Sequence, residues 1–292
     1  MKTIAYIERK SGQEKIENVP AGKMLHWLYQ TFSGKIALQV LLKRKIISQL
    51  GGWYMNSRRS AKRIQAFVDE HQINLDEFRQ STISDYKTFN QFFYRSLKPG
   101  VRTMDKGIVS PADGKILVFP KLENANTFFI KGIDFSLESF LQNKELAEKY
   151  ASGSMAIVRL APADYHRFHF PETGEASPTK KINGAYFSVS PLALNQSLRI
   201  FCENKREYCL LSTQQYGEIA IIEVGATMVG SIIQTYNPGI VKKGDEKGYF
   251  AFGGSTVVLL FEKDKIKFDS DLIENTNKGY ETTLKTGETI AN

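Results

Sequence analysis

Gly253-Gly254-Ser255-Thr256-Val257-Val258-Leu259-Leu260-Phe261 is the stretch on which the reading of the fold turns. Its apolar run from Val257 to Phe261 is strand-length, rich in branched side chains, and closed by the polar Glu262-Lys263-Asp264. The two glycines enter the run as a turn, because glycine reaches positive φ without a Cβ clash, and Ser and Thr hydroxyls satisfy local backbone groups. Taken alone, the stretch is an ordinary turn leading into a strand.

The same texture recurs from Gly107 onward. Short apolar runs at 115–119, 127–130, 155–160, 219–224, 229–235 and 256–261 are separated by Gly, Pro, Asn and Asp, the pattern of an antiparallel β domain. The N-terminal part differs. Residues 3–18 alternate weakly, as a short strand or arm would. Residues 21–72 carry a helical pattern interrupted at Gly34 and at Gly51-Gly52, and Phe78, Phe89, Phe92, Phe93 and Leu97 suit one amphipathic helix or two short ones, ended by Pro99-Gly100. The expected fold class is α+β: a helical, membrane-binding N-terminal region over residues 1–100, then a mainly antiparallel β catalytic core over 101–292. No internal repeat or low-complexity linker interrupts the chain.

The 292 residues are enough for one large domain or two ordinary ones. Two cysteines, Cys202 and Cys209, at no metal-ligand spacing and without a signal-peptide pattern at residues 1–19, point to a reducing compartment and away from a disulfide framework or structural zinc. The net charge of +8 is local in origin. Residues 18–68 hold no Asp or Glu but nine basic side chains, Lys23, Lys35, Lys43, Arg44, Lys45, Arg58, Arg59, Lys62 and Arg63. Without them the chain is nearly neutral.

That basic stretch is also apolar and aromatic, with Leu25, Trp27, Leu28, Tyr29, Phe32, Trp53 and Tyr54 among its residues. Its apolar segment at 36–42 is far below the ~20 residues that cross a bilayer. The composition fits interfacial helices with basic side chains near anionic head groups and aromatic rings at the boundary. A basic hairpin packed on the protein's own core is the alternative. Nucleic acid fits the charge, but no binding motif is present and aliphatic side chains outnumber stacking aromatics.

Three groups of residues carry candidate chemistry. Asp164-Tyr165-His166-Arg167-Phe168-His169 holds two of the four histidines; on a helix they share a face, along a strand they point to opposite sides. The pair suggests a metal, but a third ligand at a fitting spacing is absent, so no metal site is expected. Ser110-Pro111-Ala112-Asp113-Gly114 reads as a turn before an apolar run, and its Asp113 is also a suitable partner for a histidine Nδ1. With Ser255 these supply an acid, a base and a nucleophile. A hydrolase serine often sits on a strand-to-helix elbow, G-x-S-x-G; here Val257 replaces the last glycine and strand follows, so a Ser-His-Asp hydrolase is the weaker reading.

Ser-Pro-Ala-Asp-Gly-Lys-Ile at 110–116, Leu-Ala-Pro-Ala-Asp-Tyr-His-Arg-Phe-His at 160–169, Glu-Val-Gly-Ala-Thr at 223–227 and Gly-Gly-Ser-Thr at 253–256 closely resemble the motifs of the pyruvoyl-dependent phosphatidylserine decarboxylases of bacterial type. Phe-Asn-Gln-Phe-Phe-Tyr-Arg at 89–95 and Lys-Pro-Gly-Val-Arg at 98–102 match in order and spacing too, so the resemblance spans about 89–261. One departure is Gly253, where the commonest bacterial pattern has Leu, a change that bears on turn rigidity and processing rate.

The resemblance implies that Asp113 orients His169, that His169 deprotonates Ser255 Oγ, and that the alkoxide attacks the carbonyl carbon of Gly254. Ester formation and β-elimination would then leave a β chain, 1–254, and an α chain, 255–292, whose first residue has become a covalent pyruvoyl group derived from Ser255. That group would take up the primary amine of phosphatidylserine and act as an electron sink as CO2 departs, giving phosphatidylethanolamine. His166 resembles the histidine placed for this second stage. The implied partners are phosphatidylserine, an anionic membrane surface and a second copy in a homodimer, with no nucleic acid.

A two-chain lipid does not leave the bilayer readily, since each exposed CH2 costs ~0.8 kcal/mol. The basic stretch is therefore expected to anchor a peripheral enzyme on the cytoplasmic side of the cell membrane, with Leu25, Trp27 and Leu28 entering the lipid. The competing functions are a membrane-associated hydrolase, a decarboxylase of another amino-headed substrate, and a non-catalytic membrane-binding β module.

Overall fold

The computed structural model describes residues 4–17, 52–122, 136–184, 203–225, 232–251 and 255–292. The expectations for Leu25, Trp27 and Leu28, for a strand at 127–130 and for the turn at Gly253-Gly254 lie outside the described residues, as does Cys202.

The described strands are, in chain order, β1 (Ile4–Glu8), β2 (Gln13–Glu17), β3 (Ile108–Val109), β4 (Gly114–Phe119), β5 (Ser154–Leu160), β6 (Arg167–His169), β7 (Gly174–Ala176) and β8 (Lys180–Ile182). After them come β9 (Arg206–Thr213), β10 (Glu218–Gly225), β11 (Ile232–Gln234), β12 (Gly239–Val241), β13 (Glu246–Phe250), β14 (Ser255–Phe261), β15 (Glu281–Leu284) and β16 (Thr289–Ala291). Eleven form one sheet, in the order β12-β7-β9-β10-β14-β5-β4-β15-β1-β2 with β8 on β9. A second sheet is β11-β13-β6, and β16 pairs β3.

The sheet is mixed rather than wholly antiparallel, because β1 runs parallel to β15. That pairing joins the N-terminal hairpin to the last part of the chain, a contact with no local sequence signature. The weakly alternating residues 3–18 are accordingly a hairpin, β1 with β2, closed by a turn at Gly12, whose φ of 68° suits glycine.

β14 sits between β10 and β5, and all seven of its residues are buried. Coverage on both faces explains why it reads as a continuous apolar run instead of an alternation. The main core is built from β4, β5, β9, β10 and β14, with Phe140, Leu141 and Tyr150 from the helices Leu137–Leu141 and Lys144–Tyr150 packed against it.

A smaller cluster, Met55, Ile64, Tyr86, Phe89, Phe92 and Phe93, forms a separate core for the described part of the N-terminal region. There the helical expectation holds at 52–55, Arg58–Arg63 and Ile64–His71, whereas residues 76–97 give only a 3-10 turn, Ile83–Asp85, and a short helix, Phe89–Phe93. The Thr88 hydroxyl caps that helix by accepting the Gln91 N–H. Among the described residues no helix is long and apolar enough to cross a membrane.

Candidate active site

Ser255 opens β14 between Gly225 of β10 and Leu160 of β5. Directly opposed residues of an antiparallel ladder share a face, and every second residue returns to it. Ser255 thus shares a face with Leu160, with Val257, and with Glu223, which is paired to Val257 and to Glu207 of β9. Lys247 of β13 reaches this face: its Nζ lies 2.8 Å from Glu223 Oε1, with both side chains fully buried. The β11-β13-β6 sheet therefore covers the face on which Ser255 stands.

The two sheets are joined on either side of the serine. After Leu160 the chain leaves β5 and reaches His166, whose carbonyl accepts the N–H of Phe250 at 2.9 Å. Phe250 ends β13, and from there the chain runs on to Ser255.

Ser255 Oγ is buried and has no hydrogen-bond partner among the described residues. An unsatisfied buried hydroxyl costs about 1–3 kcal/mol, and Thr256 Oγ1 beside it also has no partner among the described residues, so the start of β14 carries two such groups.

His166 is fully buried, with its ring centroid 3.8 Å from that of Phe93. Its Nδ1 lies 2.8 Å from the Asp164 carbonyl. A carbonyl only accepts, so Nδ1 carries the proton and, in the neutral ring, Nε2 carries the lone pair.

His169 stands on β6, so the shared-helix alternative for the pair does not apply. Its Nδ1 donates to the Gly244 carbonyl at 2.9 Å, which leaves Nε2 to accept from the Tyr165 hydroxyl at 3.1 Å. Desolvation pushes the His169 pKa below the ordinary imidazole value, against the pull of the Gly244 carbonyl and of the charges on Glu246 and Asp113. His169 is thus set up as a neutral base whose lone pair is held by Tyr165.

Asp113 is not at His169 Nδ1. Its Oδ1 accepts the Thr286 N–H at 2.7 Å and its Oδ2 accepts from Arg102 at 3.0 Å. The orienting role implied for it is filled in this structure by Gly244, because Arg102, bridging Asp113 and Glu77, draws the carboxylate away. Asp113 remains close by: His169 N–H donates to Pro111 O at 2.7 Å, and the Asp113 charge raises the His169 pKa.

Several site residues carried no assigned role in the sequence reading. Tyr165 and Asp164 lie inside the recognised motif. Asp164 Oδ2 accepts the Ala161 N–H at 2.7 Å and so closes the turn that leads to His166; burial raises its carboxyl pKa against the nearby charges of Lys115 and Arg159. Glu223 lies at the head of the recognised stretch 223–227 without an assigned role, and Lys247 stands in a strand that the sequence did not announce; their buried pairing is made by the fold. Among the described residues no cluster of three or more His, Cys, Asp or Glu is placed to hold a metal ion.

A family model described as phosphatidylserine decarboxylase matches residues 89–292. The chain belongs to the phosphatidylserine decarboxylase family. It is 52% identical to a phosphatidylserine decarboxylase proenzyme of Fusobacterium nucleatum, over 99% of this chain and 97% of that one. It is 46% identical to a proenzyme of the same name in Clostridium novyi over 98% of each chain, and 44% identical to one in Ruminiclostridium cellulolyticum over 99% and 97%. The matched region opens with the aromatic helix that packs on His166 and includes Asp113, both site histidines and Ser255. In this decarboxylase-family chain the basic residues 18–68 fall before the family match, and the relatives cover them as well.

Proposed function

We propose that this chain is a phosphatidylserine decarboxylase made as a proenzyme, which cleaves itself between Gly254 and Ser255 into a β chain, 1–254, and an α chain, 255–292. The observation that carries the reading is Ser255: a buried hydroxyl with no partner among the described residues, at the first residue of the central strand, in a chain half identical to a decarboxylase proenzyme.

The residues fit a pyruvoyl group derived from Ser255. Small Gly225 stands opposite it, and the nearest backbone to a Cβ placed at Gly225 is Lys205 O at 3.4 Å. A pyruvoyl group there would supply the electron sink for decarboxylation.

The chain's own groups do the rest. His169, neutral near pH 7, accepts the Ser255 proton at Nε2 once the Tyr165 hydroxyl yields the lone pair. Gly244 O holds the imidazole in the required tautomer and stabilises the cation that forms. His166, with Nδ1 tied to Asp164 O, offers Nε2 for proton handling in the second stage. Ser255 and His166 are fully buried, which keeps water from the point where the group would form.

The substrate is a bilayer lipid, and the enzyme acts as a peripheral protein on the cytoplasmic side of the cell membrane. Supporting this, Trp53 is 78% exposed and, with half-exposed Tyr54, adjoins Arg58, Arg59, Lys62 and Arg63, an aromatic and basic surface suited to an anionic interface. The test is Ser255→Ala with carboxyl-labelled phosphatidylserine in anionic vesicles. One uncleaved chain and no CO2 are expected; CO2 release by the variant would refute the pyruvoyl reading. A single intact wild-type chain labelled by a serine-directed probe would favour a hydrolase.

A further inference from the structure

Arg95 follows the short helix Phe89–Phe93 and is 2% exposed, yet among the described residues it forms no ion pair with a carboxylate. A buried guanidinium without a carboxylate in contact is costly, so its neighbours show what it is for. They are backbone carbonyls and aromatic faces. One Nη donates to Phe92 O at 3.3 Å, and the other to Ala163 O at 2.9 Å and Asp164 O at 3.3 Å. Its guanidinium carbon lies 4.5 Å from the ring centre of Phe78 and 4.9 Å from that of Phe92, while Nε finds no acceptor among the described residues.

The Asp164 carbonyl is the key acceptor, since it also receives His166 Nδ1–H at 2.8 Å. One carbonyl thus ties a fixed cation to an imidazole. The ring face is covered from the same segment, by Phe93 at 3.8 Å, and Phe78 reaches Tyr165, the donor to His169, at 6.1 Å between centroids. Helix, arginine and rings act as one clamp on residues 163–166, opposite the bond from Phe250 N–H to His166 O.

We propose that Arg95 is a positioning residue for this site: by fixing the carbonyls of Ala163 and Asp164 it holds His166 in the Nδ1–H tautomer, with Nε2 as the nitrogen available for the chemistry at residue 255. The role assigned to His166 rests on the decarboxylase reading; the tautomer and the clamp do not. Lysine keeps the charge but loses the planar fork that spans two adjacent carbonyls, so Arg95→Lys separates charge from geometry. Displacement of a catalytic group by about 1 Å costs on the order of 100-fold in rate.

The first experiment records histidine ring 15N shifts of the wild-type full chain from pH 6 to 8, with His166 assigned by His166→Gln. In the neutral ring the Nδ1–H tautomer is expected, and an Nε2–H tautomer overturns the clamp whether or not the protein is a decarboxylase. The second measures cleavage by intact mass, and kcat and KM on phosphatidylserine vesicles, for Arg95→Lys and Arg95→Met. In Arg95→Lys, with unchanged thermal midpoint, complete cleavage, a 10- to 100-fold loss of kcat and KM within about twofold are expected, a loss confined to catalysis. Arg95→Met should lose at least as much kcat. A cleaved Arg95→Lys with kcat within threefold of wild type, or a folded one that no longer cleaves, overturns the proposal. Wild-type chain that neither cleaves nor releases CO2 refutes the decarboxylase reading instead, and the tautomer measurement still decides the clamp.

Discussion

Replacing Lys247 by Met breaks the seam that holds the second sheet over Ser255. Lys247 Nζ lies 2.8 Å and 2.9 Å from the two Glu223 oxygens and donates to Gln234 Oε1 at 3.0 Å, all without solvent exposure at the ion pair. Gln234 in turn donates to Glu223 at 2.9 Å. Methionine fills most of the lysine stem's volume, so the loss is electrostatic: one carboxylate stays buried with a single amide donor. Removing one partner of a buried ion pair costs about 3–5 kcal/mol, which for a chain of this size lowers Tm by roughly 5–15 °C.

The cost should depend on pH, and the direction follows from Glu223. Its pKa is already raised by desolvation, and loss of the lysine raises it further. The folded state then binds a proton that the unfolded chain has released, so the variant's stability falls as pH rises above the ordinary glutamate value and recovers as pH drops. The assay is thermal unfolding in a Ser255→Ala background, which keeps one uncleaved chain, at pH 5 and pH 7. Lys247→Met with Glu223→Leu, lacking both charges, should lie closer to the parent than Lys247→Met does. A single variant within about 1 kcal/mol of the parent at pH 7, or a double variant less stable than the single, would refute the reasoning.

Three further outcomes follow from the site. Desolvation holds the His169 pKa below ordinary imidazole, so self-cleavage of newly made proenzyme should be flat above pH ~7 and fall with acid about a midpoint below ~6.5; a midpoint above 7 would count against His169 as the base. Asp113 pulls the His169 pKa up by its charge, so Asp113→Asn should move that midpoint to lower pH in the same time course, and an upward shift would contradict the arrangement. At Gly248 an added Cβ would collide with the Ile233 backbone carbonyl and lie 2.7 Å from the Phe168 ring, so Gly248→Ala should separate β11 from β13 and cost about 1–3 kcal/mol in urea unfolding.

Much of the core was legible because its strands are buried on both faces. The runs at 115–119, 155–160, 219–224 and 256–261 fall within one or two residues of β4, β5, β10 and β14. β9 escaped notice because Arg206 and Glu207 stand in it, and both are buried by long-range partners: Arg206 donates to Phe140 O and Ser139 O, and Glu207 accepts from Gln234. β13 was hidden by Lys247 and Gly248 for the same reason, since nothing local signals Glu223 or the close approach of Ile233. The parallel pairing of β1 with β15 spans nearly the whole chain.

The candidate site divides along the same line. Ser255, His166, His169 and Asp113 were legible as residue types within motifs. Which atom meets which was not. Arg102 on Asp113, Gly244 on His169 Nδ1 and Tyr165 on Nε2 depend on chain segments brought together by folding, and two of these partners are a backbone carbonyl and a tyrosine that composition does not mark.

Intact mass of the purified protein tests the central claim most directly. Cleavage at the bond before Ser255 divides the 33.0 kDa chain into fragments of about 29 and 4 kDa. The expected result is a large fragment ending at Gly254 and a small one whose first residue carries the mass of a pyruvoyl group and resists N-terminal sequencing. A single 33.0 kDa species with Ser255 intact in protein that decarboxylates phosphatidylserine would contradict it.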